Sequence, residues 1–101
     1  MVVYNITTKV HTSIDIAWLR WQQQEQIPAI MATGFFAAYK IFRLLEQDDS
    51  NGNTYAIQYT AITEEQYQQY MIIHAPLLQQ KALEKWGDST ISFHSVLEVI
   101  H

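Results

Sequence analysis

The chain has 101 residues, of which 49% are hydrophobic and 16% charged, and its formal net charge is −4. This length predicts one domain, residues 1–101, with a core of its own. The lack of cysteine excludes disulfides and cysteine-ligated metals, and the acidic balance disfavours binding to the phosphates of nucleic acids.

The sequence has no recognisable targeting or membrane segment. Its first residues show neither the basic start nor the apolar run of a signal peptide. The longest mostly apolar stretch without charge, Gln26 to Tyr39, is shorter than the ~20 residues of a membrane helix and contains Pro28 and Gly34. We therefore expect a cytoplasmic protein that does not bind membranes.

The first third of the chain predicts a strand followed by a helix. Val2 to Val10 alternates with a period of two, which is typical of a strand. A cap at Thr12 or Ser13 then starts a helix, whose apolar face consists of Ile14, Ala17, Trp18 and Trp21.

The end of this helical region is marked by polar residues and by two helix-breaking residue types. The run from Gln22 to Gln26 is polar on all sides, so we expect it to be solvated. Pro28 predicts a break or a new first turn, and Gly34 predicts the left-handed residue that ends a helix.

The middle of the chain predicts a hairpin. Phe35 to Gln47 is apolar on both sides, which predicts a long strand covered on both faces. The segment from Asp48 to Asn53 is a turn signal with Asn-Gly at its centre. Thr54 to Ala61 alternates as the returning strand.

The last third predicts a kinked helix and a final strand. Thr63 and Gln66 form a capping-box pattern, and the helix that follows runs towards Trp86. Pro76 predicts a kink near residues 73–75. Gly87 ends the helix, and the last strand runs from Thr90 to Ile100.

This order of elements predicts the fold class. Strand, helix, strand, strand, helix, strand is the ferredoxin-like βαββαβ arrangement, an α+β fold with a four-stranded antiparallel sheet and both helices on one face. The other sheet face then needs a cover, because the strand from Phe35 is apolar on both sides. We expect a homodimer through that face, as in a dimeric α+β barrel.

The chain also resembles a family of short, uncharacterised bacterial proteins that is classed only as a domain of unknown function. The resemblance covers nearly the whole chain and implies the dimeric α+β barrel architecture, but it implies no established activity. The residues that carry it are Tyr4-Asn5, Trp18-Leu19 with Trp21, Ile27-Pro28, Ala32-Thr33-Gly34 with Phe36, Gln58-Tyr59, His74-Ala75-Pro76 with Leu78, Trp86-Gly87-Asp88 and Leu97-Glu98.

His74 is the candidate catalytic residue. Related α+β barrel monooxygenases use a histidine on the second helix, an asparagine on the first strand and an aromatic residue late in the third strand, and His74, Asn5 and Tyr59 occupy those places. The haem-degrading members have Trp where this chain has Tyr59, and alternation predicts that Asn5 points away from His74. The structural alternative is a core histidine bonded to a carbonyl group that Pro76 leaves free.

A ligand pocket between the sheet and the helices is a further expectation. The aromatic side chains of the helices are expected in the core, and a mostly apolar pocket among them would suit a small apolar ligand. The candidate ligand-binding residues are Asn5, Trp21, Tyr59 and His74.

Metal, cofactor and RNA binding are not expected. The four histidines, His11, His74, His94 and His101, fall in different elements without zinc-type spacing. No cofactor motif is present, and the third strand lacks the basic residue of an RNA-recognition strand.

Two functions are therefore weighed for this chain. The first is a homodimeric binding or interaction module without a cofactor. The alternative is a cofactor-independent or haem-type monooxygenase or an isomerase of the α+β barrel class, in which His74 is the general base.

Overall fold

A computed structural model describes residues 1–100, so His101 lies outside the described residues. Its strands are β1 (Val2–Val10), β2 (Ala38–Arg43), β3 (Thr54–Ala61) and β4 (Thr90–Glu98). Its α-helices are α1 (Asp15–Trp21), α2 (Ile27–Ala32), α3 (Glu64–Ile73) and α4 (Ala75–Trp86). Short 3₁₀ turns cover Thr12–Ile14 and Gly87–Ser89, and a turn of π-helix, Gln22–Gln26, joins α1 to α2.

The strands form one antiparallel sheet in the order β2-β3-β1-β4, which confirms the ferredoxin-like prediction. In the two central strands Tyr4 pairs with Tyr59, and Asn5 pairs with Gln58. The helices cover the face that carries Tyr4 and Tyr59, which are both buried in the core. The face that the helices do not cover is called the outer face of the sheet, and it carries Asn5 and Gln58.

The helix ends follow the signals in the sequence. Pro28 lies in the first turn of α2, directly after the π turn that joins α1 to α2. Gly34 and Gly87 follow α2 and α4 with positive φ of +82° and +51°, a region that favours glycine. Gly87 has ψ of −128°, so it lies outside the left-handed helical region expected of a helix end. The predicted kink lies at His74, where φ of −115° separates α3 from α4.

Two predicted strands are shorter in the structure. β2 begins at Ala38 rather than Phe35 because the preceding segment turns inward and buries Phe36 in the core. It ends at Arg43 rather than Gln47, and β4 ends at Glu98 rather than Ile100. β2 is also an edge strand, and its large side chains Tyr39 and Phe42 are exposed in the single chain.

One half of the space between the sheet and the helices is filled by aromatic rings. Phe36 lies 4.8 Å from Tyr70 and 5.3 Å from Tyr59, measured between ring centroids. The ring of Tyr4 lies 5.5 Å from that of Tyr67. These five residues form the aromatic cluster, which anchors α3 to the sheet.

The outer face of the sheet has a polar centre and an apolar margin. Its centre on β1 and β3 includes Asn5 and Gln58, whereas β4 exposes a row of large apolar side chains. Phe93 in that row is 69% exposed. The apolar side chains of the margin are Phe42 of β2 and Ile91, Phe93 and Leu97 of β4.

No helix within residues 1–100 is both long enough and apolar enough to cross a membrane.

Candidate ligand cavity

A cavity of about 250 Å³ lies in the other half of the space between the sheet and the helices. Unlike the aromatic cluster, this half is hollow, although helices and strands surround it. The residues that line the cavity come from β1, β3, β4, the helical region 18–30 and α4: Ile6, Thr8, Trp18, Gln22, Gln26, Ile30, Ile57, Tyr59, Gln79, Ala82, Leu83, Trp86, Gly87, Thr90, Ser92 and His94.

The cavity has a buried end and an open mouth. Trp18, Ile30 and Ile57 at the buried end are each 2% exposed. The mouth lies between α4 and the edge strand β4, where Leu83 is 68% exposed and His94 is also exposed. A small molecule therefore has a route from solvent into the apolar interior.

The π-helical turn directs two glutamine side chains towards the cavity. Gln22 is only 9% exposed, and its Oε1 atom has no hydrogen-bond partner in the described structure. Nε2 of Gln26 donates to the carbonyl oxygen of Leu78 at 3.3 Å, which ties this turn to α4. The expectation that residues 22–26 are solvated was therefore wrong for Gln22, because the wider π turn rotates it inward. Single π turns inside helices are frequent at functional sites.

Trp86 closes the cavity beside the end of α4. Its Nε1–H group is buried without a hydrogen-bond partner in the described structure. Its ring meets the ring of Trp21 edge-on, with centroids 5.8 Å apart, and the ammonium group of Lys85 lies 5.2 Å from the ring centroid. The indole ring of Trp86 is thus packed between Trp21 and Lys85, and its N–H group has no hydrogen-bond partner in the described structure.

A hydrogen-bonded group of three side chains borders the mouth. The hydroxyl of Tyr4 is hydrogen-bonded to Nδ1 of His94, and Nε2 of Gln79 donates to the same hydroxyl oxygen at 3.3 Å. Burial raises the pKa of Tyr4 to about 12, and partial burial lowers the pKa of His94 because the charged imidazolium is poorly solvated there. Both groups are therefore neutral at neutral pH.

The polar groups around the cavity are uncharged. The hydroxyls of Thr8 and Ser92 pair across β1 and β4 at 2.8 Å, and no Asp, Glu, Lys or Arg is among the residues that line the cavity. An ionised ligand would lose its hydration without gaining a counterion, which is strongly unfavourable. The arrangement suits a neutral molecule with a few hydrogen-bonding atoms.

The structure separates the four residues that the sequence suggested as ligand-binding. Tyr59 lines the cavity, and Trp21 lies behind Trp86. His74 is half-buried at the helix break, with its ring 5.6 Å from that of Phe35, and is not among the lining residues.

Asn5 lies on the opposite side of the sheet from the cavity. Its amide donates to Thr7 at 2.9 Å and to Ser95 at 3.3 Å, and all three residues lie on the outer face. Asn5 and Tyr59 therefore face opposite sides of the sheet, as alternation predicts.

A comparison with protein-family models assigns the chain. The model described as domain of unknown function DUF4286 matches residues 1–100. The chain belongs to the DUF4286 family.

Solved structures share the fold of this DUF4286 domain. SnoaB, a cofactor-independent oxygenase from Streptomyces nogalater, aligns with a TM-score of 0.71 at 14% identity over 99% of this chain and 93% of that one. An ethyl tert-butyl ether d (ethd) family protein from Bacillus halodurans also aligns with a TM-score of 0.71, at 16% identity over 99% of this chain and 100% of that one.

A dimeric ferredoxin-like protein from an uncultured marine organism aligns with a TM-score of 0.70 at 12% identity, over 100% of this chain and 96% of that one. At these identities the similarity shows the fold alone. A search of curated proteins found no match to the DUF4286 domain.

Sequence reasoning missed three polar residues of the cavity: Gln22, Gln79 and His94. In the sequence, alternation along β4 puts His94 on the face opposite Phe93, and this was the signal that could have found it. The structure pairs His94 with Ile6, on the face that the helices cover. No local pattern marks Gln22, because nothing in a run of glutamines distinguishes a π turn from an α turn.

Proposed function

We propose that this DUF4286 domain binds a small, uncharged and largely apolar molecule in the cavity. One observation carries the proposal: an open-mouthed apolar cavity is bordered by two buried polar atoms without partners in the described structure, Oε1 of Gln22 and Nε1 of Trp86. A buried polar group without a hydrogen bond costs about 1–3 kcal/mol. A ligand that bonds to either group offsets that cost.

The size and chemistry of the walls narrow the class of ligand. The volume of about 250 Å³ lies just below the usual range for ligand pockets, about 300–1,000 Å³. Trp18 and Trp86 offer flat apolar surfaces, and aromatic ligands pack well on such rings. A neutral bicyclic compound with one or two polar atoms meets these requirements.

Titration with indanone, a neutral bicyclic ketone, tests the proposal. The chain has three tryptophans, so proton–nitrogen correlation spectra contain three indole N–H signals that Trp→Phe variants assign. We expect indanone to move the Trp86 signal in a saturable way, and we expect the anion indane carboxylate to leave it unchanged.

A cavity-filling variant localises the binding. Ala82→Phe adds a ring to a residue that lines the cavity, and Lys81→Phe adds the same ring to an exposed neighbour that does not. Ala82→Phe should abolish the indanone-induced shift, and Lys81→Phe should retain it. Binding that survives in both variants, or a wild type that binds no neutral bicyclic probe, would overturn the proposal.

We also propose that two copies of the domain associate through the outer face of the sheet. The exposed apolar margin, with Phe93 and Phe42, supports this, and so does the fold shared with a protein described as dimeric. The polar centre suits a second copy, because the acceptor oxygen of Asn5 and the side-chain amide of Gln58 can pair across a two-fold axis. Stable dimers of this kind bury roughly 2,000 Å² or more.

Sedimentation velocity with charge-insertion variants tests the dimer. Phe93→Glu places a charge on the outer face, whereas Ile72→Glu places the same charge on an exposed apolar residue of α3. We expect a dimer for the wild type and for Ile72→Glu, and a folded monomer for Phe93→Glu. A monomeric wild type at high micromolar concentration would contradict the proposal.

The enzyme of the α+β barrel class that uses His74 is the second candidate function. The shared fold with SnoaB supports it, whereas the position of His74 outside the cavity lining does not. A general base would accelerate deuterium exchange at the carbon next to the indanone carbonyl. Exchange that is faster than in buffer and is lost in His74→Ala would support this candidate, and exchange at the buffer rate would exclude it for this probe.

A further inference from the structure

The mouth of the cavity contains a polar triad whose proton positions follow from counting donors and acceptors. Gln79 Nε2 donates to the Tyr4 hydroxyl oxygen, so that oxygen already accepts one hydrogen bond. The hydroxyl proton of Tyr4 still needs an acceptor, because the side chain is 1% exposed. Nδ1 of His94 is the atom bonded to this hydroxyl.

This arrangement decides which nitrogen of His94 carries the proton. If Tyr4 donates to Nδ1, then Nδ1 is an acceptor and the neutral imidazole must carry its proton on Nε2. In the opposite tautomer, Nδ1–H of His94 and Nε2–H of Gln79 would both donate to the Tyr4 oxygen. The buried hydroxyl proton of Tyr4 would then have no acceptor, which is costly. Tyr4 and Gln79 therefore hold His94 as the Nε2–H tautomer.

We propose that this fixed tautomer makes the cavity selective for ligands that carry a hydrogen-bond acceptor, such as a carbonyl oxygen, at the end that faces the mouth. The inference rests on the proposed ligand-binding function and specifies its ligand class. His94 lines the cavity, and with Nδ1 occupied by Tyr4 its remaining polar group is the Nε2–H donor. Tyr4 and Gln79 are positioning residues that act on the ligand only through His94.

A tryptophan beside the end of α4 adds to the same selectivity. Trp86 Nε1–H is a second donor without a partner, and indole has no acceptor. Two donors at separate positions therefore favour a neutral compound with acceptor atoms over a hydrocarbon of the same shape. The unpartnered atom of Gln22 is Oε1, an acceptor, so it favours a ligand that also carries one hydrogen-bond donor.

The tautomer can be measured without any ligand. Long-range proton–nitrogen spectra distinguish the two imidazole nitrogens, and the chain has four histidines to assign. We expect His94 to be the Nε2–H tautomer in the wild type and a mixture in Tyr4→Phe. A wild-type His94 protonated on Nδ1 would overturn the inference while leaving the binding proposal intact.

The ligand preference is measured as the ratio of two affinities. Indanone and indane share a bicyclic skeleton, but only indanone has an acceptor. One hydrogen bond is worth about three- to tenfold in affinity, so we expect indanone to bind the wild type more tightly by at least that factor. Equal affinities in the wild type would contradict the inference.

Two substitutions at the same position separate a donor role from a packing role. His94→Gln keeps an N–H₂ group near the place of Nε2, and His94→Leu removes it. We expect the affinity ratio to survive in His94→Gln, to fall about three- to tenfold in His94→Leu, and to fall part of the way in Tyr4→Phe. If the ratio is unchanged in His94→Leu, the donor is not His94 and the inference fails.

These outcomes distinguish failure of the inference from failure of the proposed function. If neither indane nor indanone binds the wild type, the binding proposal fails, and this inference fails with it. If both bind and Ala82→Phe blocks both, the cavity is the binding site. In that case the affinity ratio and the tautomer test only the inference, and the binding proposal stands whatever they show.

Discussion

The two halves of the space between the sheet and the helices are built from similar residues but are packed differently. In the aromatic cluster, Phe36 and the tyrosines of α3 and the sheet fill the space with ring centroids 4.8 to 6.4 Å apart. In the hollow half, Trp18 and Trp86 border a cavity of about 250 Å³ instead of meeting each other. A packed interior ordinarily leaves few voids larger than a water molecule.

The proposed function assigns ligand binding to the hollow half and leaves stability to the aromatic cluster. The aromatic cluster buries rings against α3, which is closed over them. The hollow half gives up packing contacts, and it holds two of the three buried polar atoms without partners in residues 1–100, the third being Gln66 Oε1 of α3.

The largest expected effect on stability comes from creating a cavity in the aromatic cluster, the filled half of the interior. Phe36→Ala should lower the free energy of unfolding by about 3–5 kcal/mol, as Phe→Ala does in packed cores. Leu83→Ala at the mouth of the cavity should change it by less than about 1 kcal/mol, since that side chain is mostly exposed. Urea unfolding of both variants checks the contrast, and equal losses would contradict it.

The second largest effect is a loss of free energy of unfolding at alkaline pH, which arises from Tyr4 in the filled half. The pKa of Tyr4 rises from 10.0 to about 12 on folding because the ring is buried. The unfolded state then loses its proton first, so this contribution, present below pH 10, is lost as the pH rises towards 12 and amounts to about 2–3 kcal/mol. Tyr4→Phe should reduce the loss of stability in that range, and the rest of the loss belongs to the other buried tyrosines with raised pKa values, Tyr59 and Tyr70. Urea unfolding of the wild type and of Tyr4→Phe at several pH values measures the difference, and an identical loss in both would contradict the prediction.

Filling the hollow half should affect stability less than emptying the filled half. Ala82→Phe places a ring in existing space, so we expect the free energy of unfolding to change by no more than about 1 kcal/mol. A loss of about 3 kcal/mol or more, seen in thermal or urea unfolding, would show that this half is packed in solution.

The smallest expected effect is the titration of His94 at the mouth. Its pKa is lowered from 6.5 in the folded state, mainly by partial burial. Below pH 6.5 the unfolded state binds the proton more readily, so stability should fall as the pH drops from 6.5 towards the folded pKa. His94→Gln should remove this slope, measured by urea unfolding at several pH values; a slope that is unchanged in His94→Gln would contradict the assignment to His94.

The sequence predicts the filled half better than the hollow half. Period-two alternation placed Tyr59 inside and Asn5 outside, and Gly34 and Gly87 marked the helix ends, because these signals act within a few residues. The cavity is a property of several elements together. It depends on side-chain volumes across β1, β4 and α4, and the bond between Tyr4 and His94 joins residues 90 positions apart.

Because only local signals are visible in the sequence, they pointed to His74 and not to His94. The break before Pro76 was visible in the sequence, and a histidine beside it suggested chemistry. Only the register of β4 against β1 shows that His94, opposite Ile6, is the histidine that borders the cavity.

The π turn at residues 22–26 also absorbs one residue that a regular helix would not need. It holds one more residue than an α turn would, so deleting one residue would convert it to an α turn and leave the phase of α2 relative to α1 unchanged. Ile27 and Ile30, which are buried, would stay in the interior. Gln23 and Gln24 are exposed, so a natural variant that is one residue shorter here should keep the fold and lose only the wider turn that brings Gln22 and Gln26 to the cavity.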